Sequence, residues 1–186
     1  TVIAGYVDYD RDTPPMLFNS AAVIKGGEII FRQDKTLLPG YDVFDEYRYF
    51  SPARTSSIFE FMGKKTGITI CEDIWTALNT DNSRFLEQRR YHIDPVQLLI
   101  KKGAELIINI SSSPYIKGKR QARIEMLSRL AAENSVSVVY VNQVGCNDSL
   151  IFDGNSFCIN SRGGIYAHAA GFEEDLLVVD PECDTQ

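Results

Sequence analysis

The sequence predicts an α/β protein whose layers are helices and packed sheets, and three observations lead to this fold class. Two helical segments are each followed within a few residues by an apolar run, as in parallel strands buried on both faces. Pairs of shorter β-type runs flank the glycine turns Gly26-Gly27 and Gly63-Lys64-Lys65, as in antiparallel hairpins. A chain of 186 residues with 44% apolar composition can also bury one sizeable core. We therefore predict a layered sandwich built as a single domain.

The individual elements follow from the periodicity of each segment. The first helix has Pro95 in its first turn and ends at Gly103, and the second carries apolar residues at helical spacing. Strands are predicted where alternating or continuous apolar runs are bounded by turn residues. The predicted helices are Pro95–Lys102 and Arg120–Asn134, and the predicted strands are Val2–Val7, Ala21–Ile24, Glu28–Phe31, Ile58–Phe61, Ile68–Cys71, Leu106–Ile110, Val136–Val141, Leu150–Asp153, Ser156–Ile159, Ile165–Ala169 and Leu176–Val179.

Composition argues against several classes of protein. With a formal net charge of -6, and with its compact basic cluster confined to residues 117–123, the chain is not expected to bind nucleic acid. No apolar run approaches the roughly 20 residues that span a membrane. The four cysteines include no C-x-x-C pair, and the two histidines, His92 and His168, have no neighbouring ligand. We therefore expect a cytoplasmic protein without a metal site.

The run from Gly67 to Trp75 contains the residue best placed for chemistry. Cys71 ends an apolar strand and is followed by Glu72 and Asp73, an arrangement that can present a nucleophile. Two adjacent carboxylates disfavour the thiolate, so a cation or a helix N-terminus would have to lie nearby. Most free cysteines, however, are small buried hydrophobic residues. Taken alone, the run leaves both interpretations open.

Other segments could complete a site around Cys71. Lys35 to Glu46 supplies a cation, aromatic side chains and acids. Ile108 to Pro114 ends a strand in a cluster of hydroxyls, where open α/β sheets bind ligands, although the same serines could cap the next helix. The polar segment around Asn142-Gln143, Gly145 and Gly154 is interpreted as turn residues.

Four motifs together resemble a known family. They are Lys35-x-x-Leu38-Pro39-x-Tyr41-x-Val43-Phe44-Asp45-Glu46-x-Arg48-Tyr49-Phe50, Gly67-x-x-Ile70-Cys71-Glu72-Asp73-x-Trp75, Asn109-x-Ser111-x-Ser113-Pro114 and Tyr140-x-Asn142-Gln143-x-Gly145. The set resembles the nitrilase (carbon-nitrogen hydrolase) superfamily nearly from end to end. The sequence that follows the lysine, Val43-Phe44-Asp45-Glu46-x-Arg48-Tyr49-Phe50, is most similar to the glutamine amidotransferase domains of glutamine-dependent NAD+ synthetases. The resemblance implies a nitrilase-like α-β-β-α sandwich.

The resemblance also implies an activity and a role for seven residues. Glutamine would be hydrolysed to glutamate and ammonia through a thioester on the nucleophile. A lysine would stabilise the tetrahedral oxyanion, and a glutamate would orient that lysine. Hydroxyl and charged groups would hold the amino-acid end of glutamine. The implied catalytic residues are Cys71, Lys35 and Glu46, and the implied substrate-binding residues are Tyr41, Glu72, Ser113 and Lys119.

One part of the family pattern has no match in this sequence. The superfamily uses a Glu-Lys-Cys triad, with the base glutamate on a strand-helix-strand segment ahead of the lysine. The only glutamate ahead of Lys35 is Glu28, in the predicted Gly26-Gly27 hairpin, and it does not match the base motif. We therefore expect residues 1–186 to be a glutaminase domain lacking its first strand-helix-strand segment.

The resemblance further predicts partners and cofactors. The phosphate loop of an ATP-dependent synthetase, Ser-Gly-Gly-x-Asp-Ser, does not occur in the sequence, so the synthetase domain is expected to be absent. The glutaminase step needs no cofactor, whereas ATP, magnesium and deamido-NAD would bind that domain. Ammonia would pass to it, and a homo-oligomer is the expected assembly. Two alternatives remain: a free-standing amidase acting on another ω-amide or carbamoyl group, and a catalytically inert fragment or docking subunit.

Overall fold

The computed structural model describes residues 1–10, 16–41, 43–75 and 91–180. It confirms the α/β class. Short 3-10 turns span Glu46–Arg48 and Cys71–Ile74. The helices are α1 (Pro95–Lys101) and α2 (Lys119–Asn134), and the strands are β1 (Val2–Asp10), β2 (Met16–Lys25), β3 (Glu28–Asp34), β4 (Ile58–Phe61), β5 (Lys64–Ile70), β6 (Leu106–Ser111), β7 (Ser137–Asn142), β8 (Val144–Asn147), β9 (Leu150–Asp153), β10 (Phe157–Ile159) and β11 (Ile165–His168).

A six-stranded mixed sheet forms the centre of the fold. Its strand order is β11-β10-β7-β6-β5-β4. The parallel strands β5, β6 and β7 lie in the middle, and antiparallel strands flank them on both sides. The apolar runs of β6 and β7 occupy this central position because each follows a helix that returns the chain to the same end of the sheet. The two predicted helix-to-strand steps are therefore confirmed.

A three-stranded antiparallel sheet, in the order β1-β2-β3, packs on one face of the central sheet. Ala21 and Val23 of β2 pack against Ile68 and Ile70 of β5 in a small apolar cluster between the sheets. The opposite face of the central sheet is covered by both helices, and Leu127 and the other apolar residues of this larger cluster are fully or nearly fully buried. The layers are thus helix, sheet and sheet. Within the described residues, no helix covers the outer face of β1-β2-β3.

The outer face of the three-stranded sheet carries a polar network in place of an apolar core. Arg32 forms ion pairs with Asp8 and Asp34. Ser20 donates to the Asp34 carboxylate at 2.6 Å, and Tyr6 donates to Asp8 at 2.9 Å. Burial and the neighbouring Asp8 carboxylate raise the pKa of Tyr6 to about 12, so its phenol stays a donor. Polar contacts between side chains therefore link the three strands on this face.

Two expectations from the sequence are wrong. Leu176–Val179 is not a strand: the segment is extended without ladder partners, and Leu176 and Val178 are 87% and 88% exposed. A continuous apolar run shows β propensity but not whether a neighbouring strand is available. Asn142 and Gly145 are not turn residues either, because Asn142 ends β7 and Gly145 lies in the β8-β9 hairpin. Neither helix of the described chain has the length and apolar character of a membrane span.

Candidate active site

A cavity of about 850 Å³ lies between the two sheets, where β3, β5 and β6 end. All seven side chains singled out from the sequence line it, together with aromatic and hydroxyl groups. The principal lining residues are Asn19, Lys35, Tyr41, Phe44, Glu46, Ile70, Cys71, Glu72, Trp75, Ile110, Ser111, Ser112, Ser113, Tyr115, Lys119 and Phe152. The sequence therefore predicted a set of residues that the fold brings together from four separate segments.

Cys71 is presented at a sharp turn between β5 and a 3-10 helix. It is half-buried, it lines the cavity, and its backbone φ is +46°. A cysteine in this left-handed region is strained, typically by about 1 to 3 kcal/mol, and such strain clusters at functional sites. Cys71 packs partly against the apolar cluster between the sheets, but it is not fully buried and also borders the cavity.

Lys35 approaches the cavity from the end of the other sheet. Its side chain is only 1% exposed, and its ammonium group lies 2.5 Å from Oε1 of Glu46. A lysine at this burial needs a partner for its charge, and Glu46, itself 20% exposed, provides one. Asn19 donates to the second oxygen of Glu46 at 3.5 Å. The pair fixes a cation at the cavity wall.

Glu72 lies in the same cavity, and two phenols hold it in place. Its carboxylate accepts a hydrogen bond from Tyr41 at 2.8 Å and another from Tyr91 at 3.2 Å. The side chain is 3% exposed, so both oxygens are kept in a defined orientation away from bulk water. Tyr91 was missed at the sequence level because no motif surrounds it and it lies 19 residues from Glu72.

Ser113 and Lys119 form the wall of the cavity beyond β6. The backbone N–H of Ser113 donates to the Asn142 side chain at 2.9 Å, and the Asn142 amide donates to the carbonyl of Gly154 at 3.0 Å. Lys119 donates to the carbonyl of Pro114 at 3.3 Å, and its ammonium lies 5.5 Å from the Trp75 ring centroid. The serines do not cap α2, whose N-cap residue is Gly118 without a side-chain cap.

A buried ion pair supports this wall from behind. Arg123 donates to Asp153 at 2.7 Å, and both side chains are 1% exposed. The Asp153 carboxylate also accepts hydrogen bonds from Asn142 and Asn155. The sequence suggested a basic cluster at the start of a helix, but it gave no indication that Arg123 points into the core. The charge is retained there because the carboxylate partner is held by two amides.

The buried carboxylate of Asp73 joins the segments that carry the lysine and the cysteine. It accepts hydrogen bonds from the backbone N–H groups of Thr36 at 3.0 Å, Leu37 at 2.8 Å and Ile70 at 3.1 Å. Burial raises the pKa of Asp73 to about 7, although these N–H groups and the Lys35 charge act in the opposite direction. Its role was not predicted from the sequence because it depends on how the two sheets meet.

Two further observations describe the charged groups of the chain. Glu28 is exposed at the β2-β3 turn and does not line the cavity. In the part of the chain that the structure describes, no group of three His, Cys, Asp or Glu residues is arranged to hold a metal ion. The cavity contains the thiol of Cys71 and the buried ammonium group of Lys35, and it also contains the carboxylate of Glu72 and the ammonium group of Lys119. These groups suit covalent attack on an amide whose other end carries both an ammonium and a carboxylate group.

Comparisons with known proteins agree with this chemistry. A family model described as carbon-nitrogen hydrolase matches residues 87–185. The chain is 44% identical to the glutamine-dependent NAD(+) synthetase of Synechocystis over 91% of its length. It superposes with a TM-score of 0.81 on the solved glutamine-dependent NAD+ synthetase of Acinetobacter baumannii, at 40% identity over 93% of the chain. It covers only 30% of either protein, so it spans less than a third of these relatives.

A more distant solved structure shows the fold alone. The carbon-nitrogen hydrolase of Helicobacter pylori superposes with a TM-score of 0.75 at 22% identity, over 92% of this chain and 59% of that one. Two packed sheets with helices on the outer face of one are therefore shared well beyond the synthetases.

Proposed function

Because the chain belongs to the carbon-nitrogen hydrolase family, we propose that it is a glutaminase domain that releases ammonia for NAD+ synthesis. The observation that carries this proposal is the meeting of Cys71, Lys35, Glu72 and Lys119 in one cavity. The relatives named as glutamine-dependent NAD+ synthetases support glutamine as the substrate.

The cavity contains complementary charges for both ends of the amino-acid part of glutamine. Glu72 would bind the α-ammonium group, with its carboxylate already oriented by Tyr41 and Tyr91. Ser113 and Lys119 would bind the α-carboxylate, and Tyr41, which donates to Glu72, would lie beside the amino-acid part. The side-chain amide would then extend toward Cys71. This pairing favours glutamine over a simple ω-amide that lacks an amino-acid head group.

Hydrolysis would proceed in two covalent steps. The Cys71 thiolate attacks the amide carbon, forming a C–S bond, and the carbonyl oxygen becomes an oxyanion. Lys35 would stabilise that oxyanion, a contribution of roughly 3 to 4 kcal/mol for one donor in comparable sites. The C–N bond then breaks, and the nitrogen leaves as ammonia after accepting a proton. Water next attacks the γ-glutamyl thioester, releasing glutamate and restoring the thiol.

The proton transfers need a base, which the family resemblance assigns to a glutamate ahead of the lysine. Glu28 is not suited to that task, because it lies outside the cavity. Glu46 is paired with Lys35, and we propose that it orients the lysine. None of the described carboxylates is therefore proposed as the base.

The wider proposal concerns the fate of the ammonia. We propose that residues 1–186 act as one glutaminase domain and pass ammonia to a synthetase domain that uses ATP, magnesium and deamido-NAD. The glutaminase step is proposed to need no cofactor. A homo-oligomer is the proposed assembly. The cytosol is the proposed compartment, because a nucleophilic thiol must stay reduced and the cytosol is a reducing environment.

The test is to measure ammonia release from glutamine, asparagine and a carbamoyl amide by the purified protein and by its Cys71→Ala variant. Glutamine is expected to be the preferred substrate, and the variant is expected to be inactive. An electrophilic glutamine analogue should add once to the wild type and not to the variant, as read by intact mass. Preference for another amide would favour a free-standing amidase. Absence of turnover together with absence of a selective adduct would favour an inert fragment.

A further inference from the structure

Asp73 joins the two segments on which the proposed chemistry depends. One carboxylate oxygen, Oδ1, accepts the N–H groups of Thr36 and Leu37, which directly follow Lys35. The other oxygen, Oδ2, accepts the N–H group of Ile70, which directly precedes Cys71. The side chain is only 2% exposed, so these are its partners in a dry environment. A single group therefore joins the end of β3 to the end of β5.

This link is needed because Lys35 and Cys71 come from different sheets. The backbone of β3 forms no ladder with β5, since β3 pairs with β2, and β5 pairs with β4 and β6. Tyr41 and Glu72 also join the two segments, but that contact is between two side chains at the substrate end of the cavity. Asp73 acts on the backbone next to the lysine and next to the cysteine. It is thus the described contact best placed to fix their separation.

We propose that Asp73 is a positioning residue for amide hydrolysis, which holds the Lys35 ammonium at the correct distance from the Cys71 sulfur. The inference rests on the proposed function, because it assigns the lysine and the cysteine to one reaction. Asp73 has no contact with substrate in this scheme. It acts through three backbone N–H groups, each of which would otherwise lose its buried partner.

The variant Asp73→Asn tests the idea at nearly constant side-chain volume. Asparagine keeps one acceptor oxygen, but its NH₂ group would face an N–H donor on one of the two segments. That segment must shift, and a displacement of about 1 Å can cost about 100-fold in rate. We expect kcat for glutamine to fall about 100-fold with KM within threefold, because the groups that bind the amino-acid end are unchanged.

A double-mutant cycle with Lys35→Met separates positioning from general loss of structure. If Asp73 acts through Lys35, Asp73→Asn should cost less than threefold once Lys35 has been removed. If Asp73 only stabilises the fold, it should cost the same factor with and without the lysine, and the proposal would be wrong. The rate of adduct formation with the electrophilic glutamine analogue can be read in all four proteins by intact mass.

The control is Asp94→Asn. The Asp94 carboxylate also accepts a hydrogen bond from a backbone N–H group, but it caps the N-terminus of α1, away from Lys35 and Cys71. It should lower the melting temperature without changing kcat. If Asp73→Asn does not fold, Asp73→Glu is used in the same cycle, because it keeps the charge and displaces the acceptors by one methylene. Unchanged kcat in a folded Asp73 variant would overturn the proposal.

One readout is independent of the substrate. The rate at which iodoacetamide alkylates Cys71 reports the surroundings of its sulfur without any substrate. Asp73→Asn and Lys35→Met are each expected to slow alkylation, and the double variant should be no slower than Lys35→Met alone. This pattern would support the Asp73 inference even if the wild type released no ammonia from glutamine, whereas additive effects would overturn it. The glutaminase proposal is judged separately, by ammonia release.

Discussion

The six-stranded sheet is covered on both of its faces, whereas the described chain covers the three-stranded sheet on only one. Helices and the second sheet enclose the first, and residues such as Ile107, Leu127 and Leu130 are fully buried there. On the smaller sheet, Val2, Ile29 and Ile30 are more than half exposed, and the outer face also carries the ion pairs of Arg32. The two sheets therefore differ in how much apolar burial stabilises them.

The candidate site combines these unequal parts. The proposed nucleophile, Cys71, follows β5 in the well-packed sheet, as does Glu72, while Ser113 and Lys119 follow β6. The proposed oxyanion donor, Lys35, and the binding residue Tyr41 follow β3, at the edge of the smaller sheet. The thiol and most of the proposed binding residues are thus supported by one sheet, while Lys35 and Tyr41 depend on the contacts that attach the other.

The largest expected effect is on stability, in the better-covered sheet. Leu130→Ala should lower the free energy of unfolding by about 2 to 5 kcal/mol, because it leaves a cavity between α2 and the central sheet. Ile30→Ala, at a β3 position that is 54% exposed, should cost less than about 0.5 kcal/mol. Urea denaturation of both variants measures the contrast, and equal costs would contradict the difference between the sheets.

The next effect is on activity and tests the smaller sheet. Lys35→Met should lower kcat/KM for glutamine by about 100- to 1000-fold, through loss of the proposed oxyanion donor. Lys102→Met is the matched control, since Lys102 bonds to the carbonyl of Ser56 and does not line the cavity. Steady-state kinetics should show activity within threefold of the wild type for this control. A similar loss in both variants would point to destabilisation.

The sequence was most informative where chemistry requires particular residue types. Cys71, Lys35 and Glu72 were predicted because strand ends followed by such side chains form sites, and because their motifs resemble a family. Tyr91 was not singled out, and the contacts of Asp73 were not predicted, because both depend on tertiary packing and not on spacing along the chain. The prediction of a strand at Leu176–Val179 was wrong for a related reason: a strand needs a neighbouring strand, and apolar composition does not show whether one is present.

A smaller effect is expected from the phenol that the sequence did not reveal. Tyr91→Phe removes a hydrogen bond to Glu72, and a bond to a charged group contributes about 1.5 to 3 kcal/mol. We expect KM for glutamine to rise about tenfold with kcat within threefold. Tyr49→Phe, at a 63% exposed position, serves as control and should change neither constant. A fall in kcat alone would argue against a binding role for Glu72.

The smallest effect concerns the polar network on the outer face. Arg32→Ala breaks ion pairs with Asp8 and Asp34, but the Arg32 side chain is 43% exposed. Exposed pairs contribute at most about 1 kcal/mol, and salt screens them. Thermal unfolding at low and high ionic strength should show a small difference that shrinks as salt is added. A large difference that does not depend on salt would mean that this face is better packed than its exposure indicates.

The left-handed backbone at Cys71 sets stability against activity at a single position. Glycine and asparagine tolerate this conformation better than cysteine does, so stability alone would favour either of them at this turn. A cysteine at this turn fits the proposed reaction, which needs a thiol there. Glycine or asparagine at this position of the same fold would relieve the backbone strain and remove the thiol.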